Sequence, residues 1–326
     1  MQNATAPFKR RRQVLLSFAA FGGAALLQAC GGGGGDSISS EINDRKNLMQ
    51  LSESKPELSV WVEAINTAGL RERLSQSGSN TAFAPTNDAF NALLGELGVS
   101  KDQLFADKQT LTAVLNFHIL GKTMLRETIP EGEAIEPIGG GFFKIDDVGN
   151  NTLQFTDGRS RTGRVISTDS LAANGVLHTL DRVMLPENKN ISQTAATNSE
   201  LTSFTAALAA AGMTQTLEGA GPFTVLAPSN AAFAALLVEL NLTEAAMLAD
   251  TENLKKILSY HVLQARLTKV ELRRDSSRTT LQGGVVRISD SYQITDVKNR
   301  VANITTPDVF NTNGVIHIID KVLLPA

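Results

Sequence analysis

The sequence predicts an α+β protein made of two tandem copies of one domain. Three observations carry this reading. Residues 174–186 (Asn-Gly-Val-Leu-His-Thr-Leu-Asp-Arg-Val-Met-Leu-Pro) return at 313–325 with eight of thirteen positions identical. Residues 58–121 match 201–264 at a constant offset of 143, which falls to 139 by the closing stretch. Within each copy, helical periodicity comes early and strand-like alternation late, an order that points to α+β. At 326 residues the chain has room for two domains of ordinary size.

Taken in order, the first helix of each copy is written by Leu58, Trp61, Val62, Ile65 and Ala68, and by Leu201, Phe204, Thr205, Leu208 and Ala211. Gly69 and Gly212 follow as C-terminal stops, each with a hydrophobe next. A short strand then runs into Pro85-Thr86-Asn87 or Pro228-Ser229-Asn230, where proline ends the strand and Thr86 or Ser229 caps a new helix. That helix is expected to bury Phe90, Leu93, Leu94 and Leu97, or Phe233, Leu236, Leu237 and Leu240. A further helix carries Leu111, Val114, Leu115 and His118, matched by Leu254, Ile257, Leu258 and His261, which puts the histidine on the apolar stripe. Residues 121–173 and 264–312 alternate and are rich in Gly, Thr and Val, so they read as several short strands. The closing motif reads as a tight Asn-Gly turn feeding a strand buried on both faces. Polar residues 187–199 read as a short joint leading into the second copy, short enough that the domains touch.

The N-terminus reads as a targeting segment. Lys9, Arg10, Arg11 and Arg12 precede an apolar run at 14–29, too short for a comfortable transmembrane helix. Leu27-Gln28-Ala29-Cys30 resembles the lipobox of bacterial lipoproteins, which implies cleavage before Cys30 and lipidation of its sulfur. Arg11-Arg12-Gln13-Val14-Leu15 also resembles a twin-arginine export signal. Five glycines and a Ser-rich stretch after Cys30 form a tether, so the expected order is leader 1–29, tether 30–45, first domain 46–186 and second domain 189–326. Without the leader the net charge is −7, which disfavours nucleic acid as a partner. Cys30 is the only cysteine, so no intramolecular disulfide forms.

Three motifs, each present twice in the same order, resemble the fasciclin (FAS1) domain family. The first is Phe83-Ala84-Pro85-Thr86-Asn87-Asp88-Ala89-Phe90 with its partner Leu226-Ala227-Pro228-Ser229-Asn230-Ala231-Ala232-Phe233. The second is Phe117-His118 and Tyr260-His261, at the family's Tyr-His position. The third is the closing stretch, with His178 and Asp181, or His317 and Asp320. The resemblance implies a wedge of strands packed with several helices. It also implies a part in cell-surface adhesion or matrix binding, with matrix protein, glycan or a cell-surface protein as partner. The lipobox implies a lipid-anchored protein of the cell envelope, and Gly31 rather than Asp after Cys30 points to the outer membrane, periplasmic or surface-exposed.

Two other functions are compatible with the composition: a hydrolase using the motif histidines, and a periplasmic scaffold for small apolar ligands. All four histidines sit at repeat-equivalent positions. Yet His178 and Asp181, or His317 and Asp320, lie three apart on a strand and so point to opposite faces. No metal-ligand spacing, phosphate loop or nucleophile elbow is present, so neither catalytic residues nor a metal or cofactor are expected. The basic groups Arg159, Arg161 and Arg164, and Lys269, Arg273, Arg274 and Arg278, are candidates for acidic glycans, with ordinary solvated loops the favoured reading. Because the second copy keeps the tyrosine and has balanced charge, Tyr260 and His261 are the candidate ligand contacts.

Overall fold

A computed structural model describes residues 45–326. The leader, Cys30 and the glycines of the tether lie outside the described residues. The first domain begins with helix α1 (Leu48–Glu53), a 3-10 turn at Pro56–Leu58, then α2 (Ser59–Thr67) and α3 (Arg71–Ser75). Strand β1 (Asn80–Pro85) follows, then α4 (Asn87–Leu97), α5 (Lys101–Ala106) and α6 (Lys108–Asn116). The strands β2 (Ile119–Leu120), β3 (Lys144–Asp147), β4 (Leu153–Thr156), β5 (Thr162–Ala172) and β6 (Gly175–Leu180) complete it. The second domain repeats the plan: α7 (Ile191–Thr197), α8 (Thr202–Ala210), α9 (Thr214–Glu218), β7 (Phe223–Pro228), α10 (Asn230–Leu240), α11 (Glu244–Ala249) and α12 (Thr251–Tyr260). Its remaining elements are β8 (Val262–Leu263), α13 (Lys269–Leu272), β9 (Ser277–Thr279), β10 (Val285–Ile288), β11 (Gln293–Thr295), β12 (Val301–Asn311) and β13 (Gly314–Ile319).

The sheets are ordered β2-β1-β6-β5-β4-β3 and β8-β7-β13-β12-β11-β10-β9. In each, the closing strand lies parallel to the strand of the Ala-Pro motif, and the other pairs are antiparallel. Side chains alternate along β1: Ala82 and Ala84 join the core under the helices, while Phe83 joins a second core under β3–β5. The closing strand is thus covered on both sides, as its apolar run requires, and all six residues of β13 are buried. The two cores of the first domain run from Leu48 to Leu185, and those of the second from Ile191 to Leu324, with no residue shared.

Local chemistry explains the element boundaries. Thr86 Oγ1 and Ser229 Oγ accept from the third amide of their helices, as N-caps do. Gly69 and Gly212 adopt φ of +72° and +64°, and the amides of Leu70 and Met213 reach back five residues, which closes the helix in a Schellman turn. Two expectations need correction. Leu97 and Leu240 are 41% and 43% exposed, because the apolar stripe rotates off the core in the last turn of a helix whose middle is held by Phe90 and Leu93, or by Phe233 and Leu236. The polar joint contains a helix: Asn190 forms a capping box with Gln193, and Ile191 and Ala195 are buried.

The Asn-Gly of the closing motif is not itself the tight turn that the sequence predicts, because the glycine is needed inside the strand. The two turn residues are Ala173 and Asn174, and Gly175 opens the strand. Gly175 has φ +154°, and a Cβ there would meet the carbonyl oxygen of Asn80 at 2.0 Å. Gly314 would meet that of Phe223 at 2.1 Å. Only glycine permits the parallel strands to start side by side. The Asn174 side chain is buried: Oδ1 accepts from the Leu48 amide at 2.8 Å, and Nδ2 donates to the carbonyls of Leu74 and Gln76. Asn313 does the same for Ile191, Leu217 and Gly219. One amide therefore fixes the start of one helix and the end of another.

Replacing Asn174 with Ala leaves three buried or half-buried backbone groups without that partner, so urea unfolding should show a loss of about 3 kcal/mol, roughly 1 for each bond. Asn313→Ala should behave alike. Because the cores are not shared, fragments 45–188 and 189–326 should each unfold cooperatively when expressed alone. Non-cooperative melting of both would overturn the division.

Candidate functional site

The residues common to both copies converge on one constellation per domain, built around a bulge. Strand β5 has eleven residues against six in β6, and the register slips twice between Val165 and Ser170. Asp169 sits in that bulge with φ +57°, a left-handed conformation that Asp tolerates better than most residues. Its amide, out of the ladder, donates to His178 Nδ1 at 3.3 Å, while His178 Nε2 donates to the Met124 carbonyl at 2.8 Å. Asp169 Oδ1 in turn accepts from the Arg126 amide at 2.9 Å. The second domain is wired identically: Asp308 (φ +59°) donates through its amide to His317 Nδ1 at 3.1 Å, His317 Nε2 donates to Leu267 O at 2.9 Å, and Asp308 Oδ1 accepts from the Lys269 amide at 2.7 Å.

The other two histidines bridge different segments. The helices end at Asn116 and Tyr260, so His118 and His261 lie just beyond them and not on their stripes. His118 Nδ1 donates to the Val114 carbonyl at 2.7 Å, and its Nε2 accepts from the Met184 amide at 2.9 Å. His261 pairs likewise with Ile257 and Leu323. Every imidazole is fully buried between a backbone carbonyl, which only accepts, and a backbone N–H, which only donates. Each ring is therefore a neutral tautomer with both nitrogens used. Burial pushes the pKa of His118 and of His261 down to about 4, and lowers those of His178 and His317.

The remaining motif residues also serve the fold. Asn87 Oδ1 accepts from the Val60 amide and its Nδ2 donates to the Pro56 carbonyl, while Asn230 ties Ser203 to Ser199. Asp181 accepts from the Arg164 amide and Asp320 from the Asn303 amide, both turned away from the histidines as strand geometry requires. Phe117 packs edge-on to Phe143, with centroids 5.9 Å apart. Among the described residues, no group of three His, Cys, Asp or Glu is placed to hold a metal.

Tyr260 and His261 are not surface contacts. Tyr260 is fully buried, and its hydroxyl donates to Val285 O at 2.6 Å and accepts from the Val297 amide at 3.3 Å. The hydroxyl absent from Phe117 is a structural bond in the second domain, because the strands there present backbone groups to it. Several of the basic residues are likewise engaged. Arg161 binds the buried Asp157, Glu96 and the Val183 carbonyl; Arg278 donates to the carbonyls of Leu272 and Glu271; Arg274 pairs with Glu133 of the first domain. Sequence reasoning missed Asp169 and Asp308, and also Asp157 and Asp296, which accept from the Leu185 and Leu324 amides after the closing strand. All four recur at the 139-residue offset, which is the signal that could have found them.

The two constellations differ in what lies over them. Asp308 is buried under the first domain, and its Oδ2 takes the ammonium of Lys144 at 2.7 Å. Around this contact Arg266 stacks on the ring of Phe142 at 3.7 Å. Asp169 instead opens on a cavity of about 570 Å³ that also displays Glu127, Glu131 and Asp147.

Two outcomes test the buried network. Protonating His118 or His261 turns its accepting nitrogen into a donor that faces an amide, so the folded state refuses a proton that the unfolded chain accepts near pH 6.5. Stability should thus be constant in this respect above pH 6.5 and fall as pH drops from 6.5 to about 4, by on the order of 3 kcal/mol for each of the two. Thermal melts across that window check it, and a flat profile would contradict it. Tyr260→Phe should cost about 1 kcal/mol of stability, through the lost bond to Val285 O, and leave surface binding unchanged.

A family model described as the fasciclin domain matches residues 56–186 and 199–325. The transforming growth factor-beta-induced protein ig-h3 of Sus scrofa is 30% identical over 261 residues, covering 79% of this chain, which in turn spans only 36% of that protein. Protein sll1735 of Synechocystis sp. is 34% identical over 135 residues, 41% of this chain and 97% of its own length. A solved FAS1 domain pair from the insect cell adhesion molecule fasciclin I aligns with 82% of this chain and 97% of its own, at 18% identity and a TM-score of 0.43. With both of its domains matched, the chain belongs to the fasciclin domain family.

Proposed function

We propose that the chain is a non-enzymatic adhesion or matrix-binding protein, held on the cell envelope by a lipid on Cys30. The observation that carries the reading is that the motif histidines and asparagines shared by both copies are committed to the fold. The four histidines, Asn87, Asn230, Asn174 and Asn313 are bonded to backbone groups, and no imidazole is left to act as a base. What remains for function is surface, presented twice, and paired surfaces on one chain gain avidity without new contacts. Family membership and the resemblance described above support adhesion over transport of small ligands. The partner class is a matrix protein, a glycan or a cell-surface protein.

The lipobox and the tether support the anchor. Lipidation with more than one acyl chain holds a protein stably on a bilayer. Cys30→Ser should move the protein from the membrane fraction to the soluble fraction, and cells carrying the wild type should attach to matrix- or glycan-coated surfaces better than cells without it. Unchanged partition would remove the anchor from the proposal; equal attachment would remove adhesion.

A further inference from the structure

The seam between the two domains has a donor and an acceptor, and each domain carries both. The donor is Lys144 on β3, whose ladder partner is Thr156. The acceptor is Asp308 in the bulge of β12, whose Oδ1 is held by the Lys269 amide and whose Oδ2 receives Lys144. At the 139-residue offset, Thr156 corresponds to Thr295, and the ladder partner of Thr295 is Arg287 on β10. The donor position of the second domain is therefore again a cation, and Arg287 is exposed. The acceptor position of the first domain is Asp169. Its Oδ1 is held by the Arg126 amide, as Lys269 holds Asp308, and among the described residues nothing donates to its Oδ2.

We infer that the Asp169 cavity of one molecule receives Arg287 of a second copy, so that copies join head to tail as the domains within one chain do. The acidic residues of the cavity do not carry this by themselves. What carries it is that the same carboxylate, on the same bulge and with the same histidine and amide partners, binds a basic side chain in the sister domain. The charges complement one another: Glu127, Glu131 and Asp147 surround Asp169, with Arg126 as the counter-charge. The cavity floor also offers apolar contact, since Leu171 is 53% exposed beside Leu125 and Ile129. A contact of this kind is heterologous and leaves an acceptor at one end and a donor at the other, so it extends as a row.

Sedimentation velocity across a concentration series tests the proposal, with every protein, the wild-type interface included, carrying Cys30→Ser so that no lipid contributes to association. The wild type should form species larger than the monomer by about 0.1 mM, the weak range of specific association. Asp169→Asn keeps the cap on Arg126 and the left-handed conformation but removes the charge. It should weaken association about tenfold, as should Arg287→Gln. Since the two groups touch, the double variant should be no weaker than either single one. Association should also fall as salt rises. A wild type that stays monomeric, association unmoved by either variant, or strictly additive losses would overturn it. Should Asp169→Asn fail to melt like the wild type, Glu127→Gln at the cavity rim takes its place, with the same expected direction.

Discussion

The fold depends on burying, on both faces, a strand that lies parallel to its neighbour. Such a strand has no solvent side on which to leave a polar group unpaired, and a parallel partner requires the chain to return from the far end of the domain. The two asparagines and four histidines meet that requirement. Asn174 and Asn313 close the point where the parallel strands begin. The histidines collect the amides and carbonyls that the bulge and the segment after the closing strand leave outside any ladder. Imidazole suits the task because a neutral ring has one donor and one acceptor on opposite sides, so it bridges a carbonyl to an N–H across a distance that backbone alone cannot span.

That role explains why the histidines resemble catalytic residues in the sequence while lacking catalytic geometry. Repetition at fixed positions, a neighbouring aspartate and an apolar context are also features of general bases. The distinction lies in the partners. In a catalytic pair the imidazole retains one nitrogen for the reacting group, whereas here backbone occupies both. The depressed proton affinity follows from burial and is a cost of the architecture, expressed as acid sensitivity.

The repeats, the main helices, the caps at Thr86 and Ser229 and the doubly buried strand were legible in the sequence, because each rests on local periodicity or on a residue type with one strong preference. The short helices α1, α3, α5, α7, α9, α11 and α13 were not, since four to seven residues give too little periodicity and their stability comes from tertiary packing. The placement of Tyr260 was misread for a related reason. A tyrosine in an apolar helix end is equally compatible with a rim contact and with a hydroxyl that reaches a buried carbonyl, and the deciding group, Val285 O, lies 25 residues away. The bulge aspartates were hidden by their setting in alternating polar strands, where one more aspartate gives no signal until the two copies are superimposed.

The separation of the cores has a mechanical consequence for any pull along the chain. The domains meet through two ion pairs, Lys144 with Asp308 and Arg274 with Glu133, a stacked guanidinium and a glycine contact, while each apolar core is closed within its own domain. Tension along the chain falls first on that polar seam, whose contacts are few and short in range. Its rupture lengthens the molecule without opening either core, and the seam can re-form when the load is released. Strength in this molecule is thus graded: polar and short in range between the domains, apolar and closed within each.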